Sequence, residues 1–258
     1  ITRVESGIDE SEGNQIDTSI LDWVEREFLS QAFTGHNDFE YKDLVHQLDW
    51  RGAWSKTETD EPDRRTYTYF NNILSTSAFE RRWSKLDETS YDLGADYSVA
   101  LEWGDGNSTE LQAGGMWSDK DRNFDQYRFG IGFTELGQDI DLNINQDLET
   151  EVLPYYNFAL NKVVLKANTT DTDSYDSQEK LYAYYVNSVT ELGEDWTLEL
   201  GARNETFEQE LQYPNAPRSN SDLKYDDWYP ALNVSWRTTE EIQLRLGLSQ
   251  TVSYPGII

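Results

Sequence analysis

The feature that most constrains this sequence is a long, regular alternation at residues 91–103. Apolar side chains occupy one set of alternate positions, and polar or small side chains occupy the other. The first set is Tyr91, Leu93, Ala95, Tyr97, Val99, Leu101 and Trp103, and the second is Asp92, Gly94, Asp96, Ser98, Ala100 and Glu102. Because successive side chains of a β-strand point to opposite faces, this period of two predicts a long strand with one apolar and one polar face.

The same unit recurs along the chain as hairpins. After the link 104–108, which contains the turn-forming pair Asp105-Gly106, residues 109–118 resume the alternation. An Asp-Gly step favours a tight hairpin turn, so residues 91–118 predict an antiparallel hairpin. Residues 178–211 and 228–253 predict two more, and the segment 43–54 carries the same pattern, with Leu44, His46, Leu48, Trp50, Gly52 and Trp54 on one face.

The links between these strands fall into two classes. Those at 104–108, 192–195 and 237–241 are short, whereas 119–177 and about 206–226 are long and polar. Short turns at one end and long excursions at the other are typical of an up-and-down transmembrane barrel. Trp residues near the ends of the apolar stripes fit the interfacial girdle of such a barrel, although they would also serve as core residues. We predict an all-β antiparallel meander, a partial transmembrane β-barrel with long extracellular loops.

One segment departs from the strand pattern. Between residues 18 and 32, apolar side chains fall near helical spacing, and Asp17, Thr18 or Ser19 is available as an N-cap. We therefore predict one short amphipathic helix there. The apolar positions are Ile20, Leu21, Val24, Phe28 and Leu29.

Composition excludes several classes of function. Asp and Glu number 49 against 21 Lys and Arg, for a formal net charge of -28. Nucleic-acid binding requires cations that neutralise phosphates, so no nucleic acid is expected as a partner. With no Cys and only His36 and His46, thiolate chemistry and His-rich metal sites are excluded.

The sequence also carries no recognisable catalytic constellation. It has no Gly-x-Ser-x-Gly motif, and the acidic run 171–179 lacks the Gly and Glu of an EF-hand, since Asp176 and Tyr182 stand at those positions. We predict that the chain is not an enzyme and has no catalytic residues, cofactor or metal. The ligand-binding residues stay unassigned.

Three stretches follow one another in an informative order. They are LQAGGMWSDKDRNFDQYRF at 111–129, the strand, turn and strand ending in Gly201, Arg203 and Glu205, and the Pro-containing strand pair at 228–257. Together they resemble the barrel of TonB-dependent outer-membrane receptors. Asn204 stands where the family more often has an aromatic residue. The last stretch ends in Ser249, Thr251, Ser253 and Pro255, which is similar to the family's Ser-x-x-Ser/Thr-x-Pro ending.

The resemblance implies that residues 1–258 are a middle part of one barrel domain, without the plug domain or the closing strands. It implies a cell outer membrane location in a Gram-negative bacterium and uptake of a scarce nutrient: a saccharide, a siderophore or cobalamin. The implied partners are that ligand, the lipid bilayer, and TonB through a segment not present here. Bare strand edges predict self-association of the isolated segment. The acidity of 119–177 favours a neutral ligand, and Tyr155, Tyr156 and Tyr175 would suit stacking on sugar rings.

The competing hypothesis is a secreted, soluble β-sandwich that binds or hydrolyses glycans. It accounts for the polarity and the tight turns. It does not explain why short and long links are segregated.

Overall fold

The structure is a computed structural model that describes residues 2–8, 13–75, 79–104, 106–137, 142–144 and 158–256. Its twelve strands form one sheet. They are β1 (Thr2–Ile8), β2 (Gln15–Leu21), β3 (Glu25–Tyr41), β4 (Leu44–Phe70), β5 (Ile73–Leu74), β6 (Glu80–Trp103), β7 (Asn107–Phe133), β8 (Val163–Ala167), β9 (Tyr175–Leu192), β10 (Trp196–Gln212), β11 (Ser221–Arg237) and β12 (Gln243–Ser249). Single 3-10 turns occur at Glu135–Gly137 and Pro217–Ser219.

Eight strands form an antiparallel meander in which each pairs with the next in this order: β3, β4, β6, β7, β9, β10, β11 and β12. The hairpin predicted at 91–118 is confirmed, and its pairing extends from Arg81↔Phe129 to Trp103↔Asn107. The sheet does not close on itself, since β1, β3 and β12 lie at its edges. The architecture is an unclosed part of a barrel, as the alternation predicted.

The links at 42–43, 104–106, 193–195 and 238–242 lie together at one end of the sheet, which we call the short-turn end. The two-residue turn at Asn71 and Asn72, between β4 and β5, lies at the other end. Lys42 and Asp43 form a two-residue turn with positive φ of 53° and 61°, the backbone that tight hairpins between right-twisted strands require. The turn after β6 has positive φ at Gly104 and Gly106; Asp105 lies outside the described residues. The opposite end carries the longer links and is called the long-loop end.

The helix predicted over residues 18–32 is wrong. Residues up to Leu21 belong to β2, which pairs with β1 and β4, and residues from Glu25 belong to β3, which pairs with β4. The apolar residues that suggested one helical face are thus divided among β2, the link at 22–24 and β3. β2 pairs with β1 and β4, and β3 pairs with β4 over 17 positions; this tertiary pairing overrides the weak local preference.

The strands also extend further towards the long-loop end than predicted. β7 continues to Phe133, β10 to Gln212, and β11 begins at Ser221, inside segments predicted as loops at 119–177 and 206–226. Cross-strand contacts between charged residues replace apolar alternation there; Arg122, for example, bonds twice to Glu88 at 2.8 and 2.6 Å. Polar residues on both faces are expected where both faces meet water.

At the long-loop end the sheet changes partners and gains a small core. The part of β7 that extends past its pairing with β9 pairs with β8. Likewise, the part of β4 that extends past its pairing with β3 pairs with β2. Under these additions lies a buried apolar cluster of Tyr67, Tyr69, Leu74, Phe79, Ile131 and Val163, which we call the outer core. Among the residues that the structure describes, none of the helical turns offers an apolar run of membrane-spanning length.

Candidate functional site

The two faces of the sheet show an inverted pattern of exposure. On the apolar face, Leu93, Val186 and Leu200 are 56%, 59% and 57% exposed, while polar neighbours such as Asp92 and Asn187 are half-buried. A water-soluble sheet hides its apolar face, and here no second sheet covers it among the described strands. The apolar face is therefore called the outer face and the polar one the inner face, as in a barrel that has lipid outside and water inside.

The outer face forms a continuous belt because the strands pair in register. From β6 to β12, one row of cross-strand partners contains only apolar or hydroxyl-bearing side chains: Val99, Leu111, Ser188, Leu200, Leu232 and Leu248. In β4 the row continues with His46. From Tyr91 to Trp103 there are 103 − 91 = 12 residue steps. At about 3.3 Å per step and a strand tilt of about 40°, that is roughly 30 Å along the barrel axis, close to the hydrocarbon thickness of a bilayer.

Aromatic rings bound this belt at both ends. At the short-turn end Trp196 and Trp236 stack with centroids 4.9 Å apart. Towards the long-loop end Tyr184 and Trp228 meet edge to face at 5.5 Å. Asn204 pairs with both of these residues and is 4% exposed; its amide donates to the Asp226 carboxylate at 2.9 Å. These two pairs of aromatic rings fit the interfacial girdles expected from the Trp positions.

The two histidines lie on different strands, in β3 and β4, and on opposite faces of the sheet. His46 is on the outer face, where Phe39 stacks on it at 5.1 Å and the Tyr97 hydroxyl lies 2.5 Å from its Nδ1. His36 is on the inner face between Asp38 and Asp49, at 3.1 and 2.7 Å. Among the described residues, no group of three or more His, Asp or Glu side chains is placed to hold a metal ion.

The inner face at belt level is a hydrogen-bonded polar wall. Asn187 donates to Gln112 at 3.1 Å and to Glu199 at 3.3 Å, and Asn233 donates to the other oxygen of Glu199 at 3.0 Å. Next to this chain of contacts, a Cβ at Gly201 would lie 2.7 Å from the Asn187 side chain. Glycine thus lets the amide lie along the wall instead of projecting from it.

Every Lys and Arg on the inner face of β4, β6, β7, β9 and β10 lies within 4 Å of a carboxylate. The pairs are Arg51–Asp96, Arg64–Glu61, Arg82–Glu61, Lys120–Glu179, Arg122–Glu88, Arg128–Asp173 and Arg203–Glu205. The inner face of these strands therefore presents little uncompensated positive charge to an incoming ligand.

A cavity of about 430 Å³ opens on the inner face at the long-loop end. Its apolar surfaces are Leu211 and the rings of Phe124, Tyr175 and Tyr213. The ring centroid of Tyr175 lies 5.4 Å from that of Phe124 and 6.4 Å from that of Tyr213. Gln126, Gln209, Thr172, Asp173 and Gly256 complete the lining. We call this space the inner-face cavity; its volume lies within the range of small-molecule sites.

Gly256, the last described residue, lines the inner-face cavity, and the residues before it contact the inner face of β10. Tyr254 stacks on Phe207 at 4.2 Å and donates its hydroxyl to Glu205 at 2.9 Å. Gln209 donates to the carbonyl of Pro255 at 3.2 Å. The segment that the Ser-x-x-Ser/Thr-x-Pro resemblance singled out is thus held against the inner face of β10.

The acidic run 171–179 is engaged with the protein itself. Asp173 accepts two hydrogen bonds from the Arg128 guanidinium, both at 2.8 Å. Burial alone would raise the pKa of Asp173, but hydrogen bonds from Thr170 and Arg128 hold that pKa below its ordinary value. Asp176 accepts from Asn123 at 2.6 Å. These contacts anchor the run to β7.

Of the tyrosines singled out for sugar stacking, Tyr175 lines the inner-face cavity. Tyr155 and Tyr156 lie outside the described residues. Phe124 and Tyr213 were missed; Phe124 enters the site because it is the register partner of Tyr175, a fact that only strand pairing reveals.

Comparisons with known proteins agree with this geometry. A family model described as "TonB dependent receptor-like, beta-barrel" matches residues 24–257. Among solved structures, the chain is similar to the crystal structure of the ferric citrate transporter FecA in its unliganded form, with a TM-score of 0.51 and 15% identity. The similarity covers 90% of this chain and 27% of that one, and at this identity it concerns the fold alone. No curated protein matches the sequence.

Proposed function

Since the chain belongs to the TonB-dependent receptor-like β-barrel family, we propose that it forms part of an outer-membrane receptor that takes up a scarce nutrient in a Gram-negative bacterium. The family is one of receptors and transporters and not of enzymes. The observation that carries the proposal is the exposed apolar belt of the outer face, backed by a polar inner face. That pairing of surfaces suits a wall between lipid and a hydrated lumen.

In this proposal, residues 1–258 are a segment of a single barrel domain. The similarity spans 27% of the FecA chain, which supports a whole receptor with more strands than those described here. The edges at β3 and β12 would then pair with further strands of the same barrel. In the isolated segment, the same edges would pair with a second copy, as the sequence predicts.

Uptake would use energy delivered by TonB through a segment outside this chain, and the proposal assigns no catalytic role. The alternative, a soluble glycan-binding or glycan-hydrolysing sandwich, loses support because a sandwich buries the side chains that this sheet exposes. Leu200, at 57% exposed, would be a core residue in such a protein.

The test is to express the full-length gene in a Gram-negative host and measure where it localises and what it imports. The proposal predicts that the protein fractionates with the outer membrane. It also predicts that growth on the limiting nutrient requires both this gene and TonB. A protein that is recovered in the soluble periplasmic or secreted fraction, or nutrient uptake that is equal with and without TonB, would contradict the proposal.

A further inference from the structure

The inner-face cavity has features that point to a class of ligand. It opens on the inner face at the long-loop end, beyond the apolar belt, where a solute arriving from outside the cell would first meet the barrel wall. Its volume of about 430 Å³ lies within the range typical of small-molecule sites. Resting on the proposed uptake function, we propose that this cavity binds a neutral saccharide by stacking sugar rings on Tyr175 and Tyr213.

The first argument is the arrangement of the rings. Tyr175 lies between Phe124 and Tyr213, tilted 40° to the first and 67° to the second. All three side chains are only half-buried, so ring surface remains open to the cavity. Flat, half-exposed aromatic faces pack well against the C–H faces of pyranose rings, and a tilted series suits a chain whose successive rings turn.

The second argument is the polar chemistry between the rings. Within the described part of the chain, neither the side-chain amide of Gln126 nor the hydroxyl of Tyr213 has a hydrogen-bond partner. An amide and a phenol each donate and accept, as sugar hydroxyls do. The neighbouring amide of Gln209 is instead committed to Glu179 and to the carbonyl of Pro255, at 2.9 and 3.2 Å, which fixes the wall.

The third argument is charge. The Asp173 carboxylate in the cavity wall is held by Arg128 and by Thr170. Arg122, which also hydrogen-bonds the Tyr175 side chain, is held by Glu88. An anionic chelate would need unpaired cations, and each nearby guanidinium already has its carboxylate. The cavity therefore favours a ligand without net charge.

The test uses the full-length receptor and an array of neutral hexose and pentose oligosaccharides, with uronic-acid oligosaccharides and ferric citrate as anionic probes. We expect the wild-type receptor to bind a neutral oligosaccharide and Tyr213→Ala to weaken that binding by about tenfold or more. Tyr213→Phe, which keeps the ring, should lose only about threefold, as one hydrogen bond is removed.

The matched control is Tyr184→Ala, an aromatic residue of the outer face that is 52% exposed and should leave binding unchanged. Receptor amount in the outer membrane is measured for every variant, so that loss of folding is not mistaken for loss of binding. Binding confined to the anionic probes, no binding to the neutral array, or neutral binding that Tyr213→Ala leaves intact would each overturn the inference.

These outcomes are separable from failure of the proposed function. TonB-dependent uptake of an anionic ligand would overturn the saccharide inference and leave the receptor assignment standing. Neutral saccharide binding by a protein outside the outer membrane would do the reverse.

Discussion

The belt and the outer core are built on opposite principles although the same strands run through both. In the belt, apolar side chains are exposed and polar ones face inwards. In the outer core, Phe79, Ile131 and Val163 are 2%, 1% and 1% exposed, and ion pairs such as Asp63 with Arg81, at 2.8 Å, lie around them. β4 and β7 contribute to both regions, so each of these strands runs from the belt into the outer core.

In the proposed barrel, the surrounding solvent, and not strand identity, decides which face is apolar. One face of the belt would meet hydrocarbon, where an exposed charge is costly, and apolar side chains predominate on that face. Where both faces meet water, the apolar side chains must gather under added strands such as β5 and β8, as they do in a soluble domain.

The largest expected effect distinguishes the outer core from the belt, because truncating a side chain leaves a cavity only where that side chain is buried. Phe79→Ala should lower the stability of the outer core by about 3–5 kcal/mol, because a fully buried ring leaves a void. Val186→Ala in the belt, where the side chain is 59% exposed to what we take as lipid, should cost much less. Hydrogen-exchange protection of the amides of Ile131 and Val163 reports the first effect, and equal losses in the two variants would erase the distinction.

The second largest effect is expected when a positive charge is placed on the outer face of the belt and compared with the same charge on the inner face. Leu200→Arg on the outer face should destabilise the folded receptor by about 2–4 kcal/mol, the cost of a cation near the bilayer midplane. Ala231→Arg is the control, since Ala231 pairs with Gly201 one residue further along β10 and points to the inner face. Unfolding in lipid vesicles measures both, and a control that costs as much as Leu200→Arg would break the assignment of faces.

Acid should loosen the long-loop end without affecting the belt. The pKa of Asp173 is lowered in the folded chain by the hydrogen bonds from Thr170 and Arg128, although burial opposes this. Its stabilisation is therefore complete above the unfolded pKa of about 3.9 and is lost as pH falls through the lowered folded value.

Hydrogen exchange across residues 168–174 at decreasing pH measures this release. Asp173→Asn should remove the acid transition and cost about 1.5–3 kcal/mol at neutral pH, as charge-assisted bonds to Arg128 are lost. A segment that opens at the same pH in both variants would show that Asp173 does not anchor it.

The smallest expected effect concerns the girdle at the short-turn end. Trp196→Ala removes the stacked contact with Trp236 and should cost about 0.5–1.5 kcal/mol beyond the lost apolar area. The double variant with Trp236→Ala measures the coupling by a thermodynamic cycle. Additive effects would indicate that the rings contact lipid independently.

The sequence predicts the belt better than the long-loop end, for physical reasons. Alternation at 91–103 is strict, as expected where lipid penalises polar side chains on one face, so the sequence alone predicts the β6–β7 hairpin. The segment 18–32 has no such constraint, and its helical spacing arises from two separate strands. The inner-face cavity depends on register, since Phe124 and Tyr175 are 51 positions apart (175 − 124) and meet only through pairing.

The most direct test of the account is the accessibility of consecutive residues in β10. Residues 1–258 contain no Cys. Single Cys variants at Thr197, Leu198, Glu199 and Leu200 can therefore be spin-labelled in the full-length receptor in bilayers, with any Cys outside these residues replaced by Ser. We predict that labels at 198 and 200 collide mainly with lipid-soluble oxygen and labels at 197 and 199 mainly with a water-soluble relaxant. Equal accessibility to both reagents at all four positions, or the opposite phase, would contradict the claim that the apolar face meets lipid.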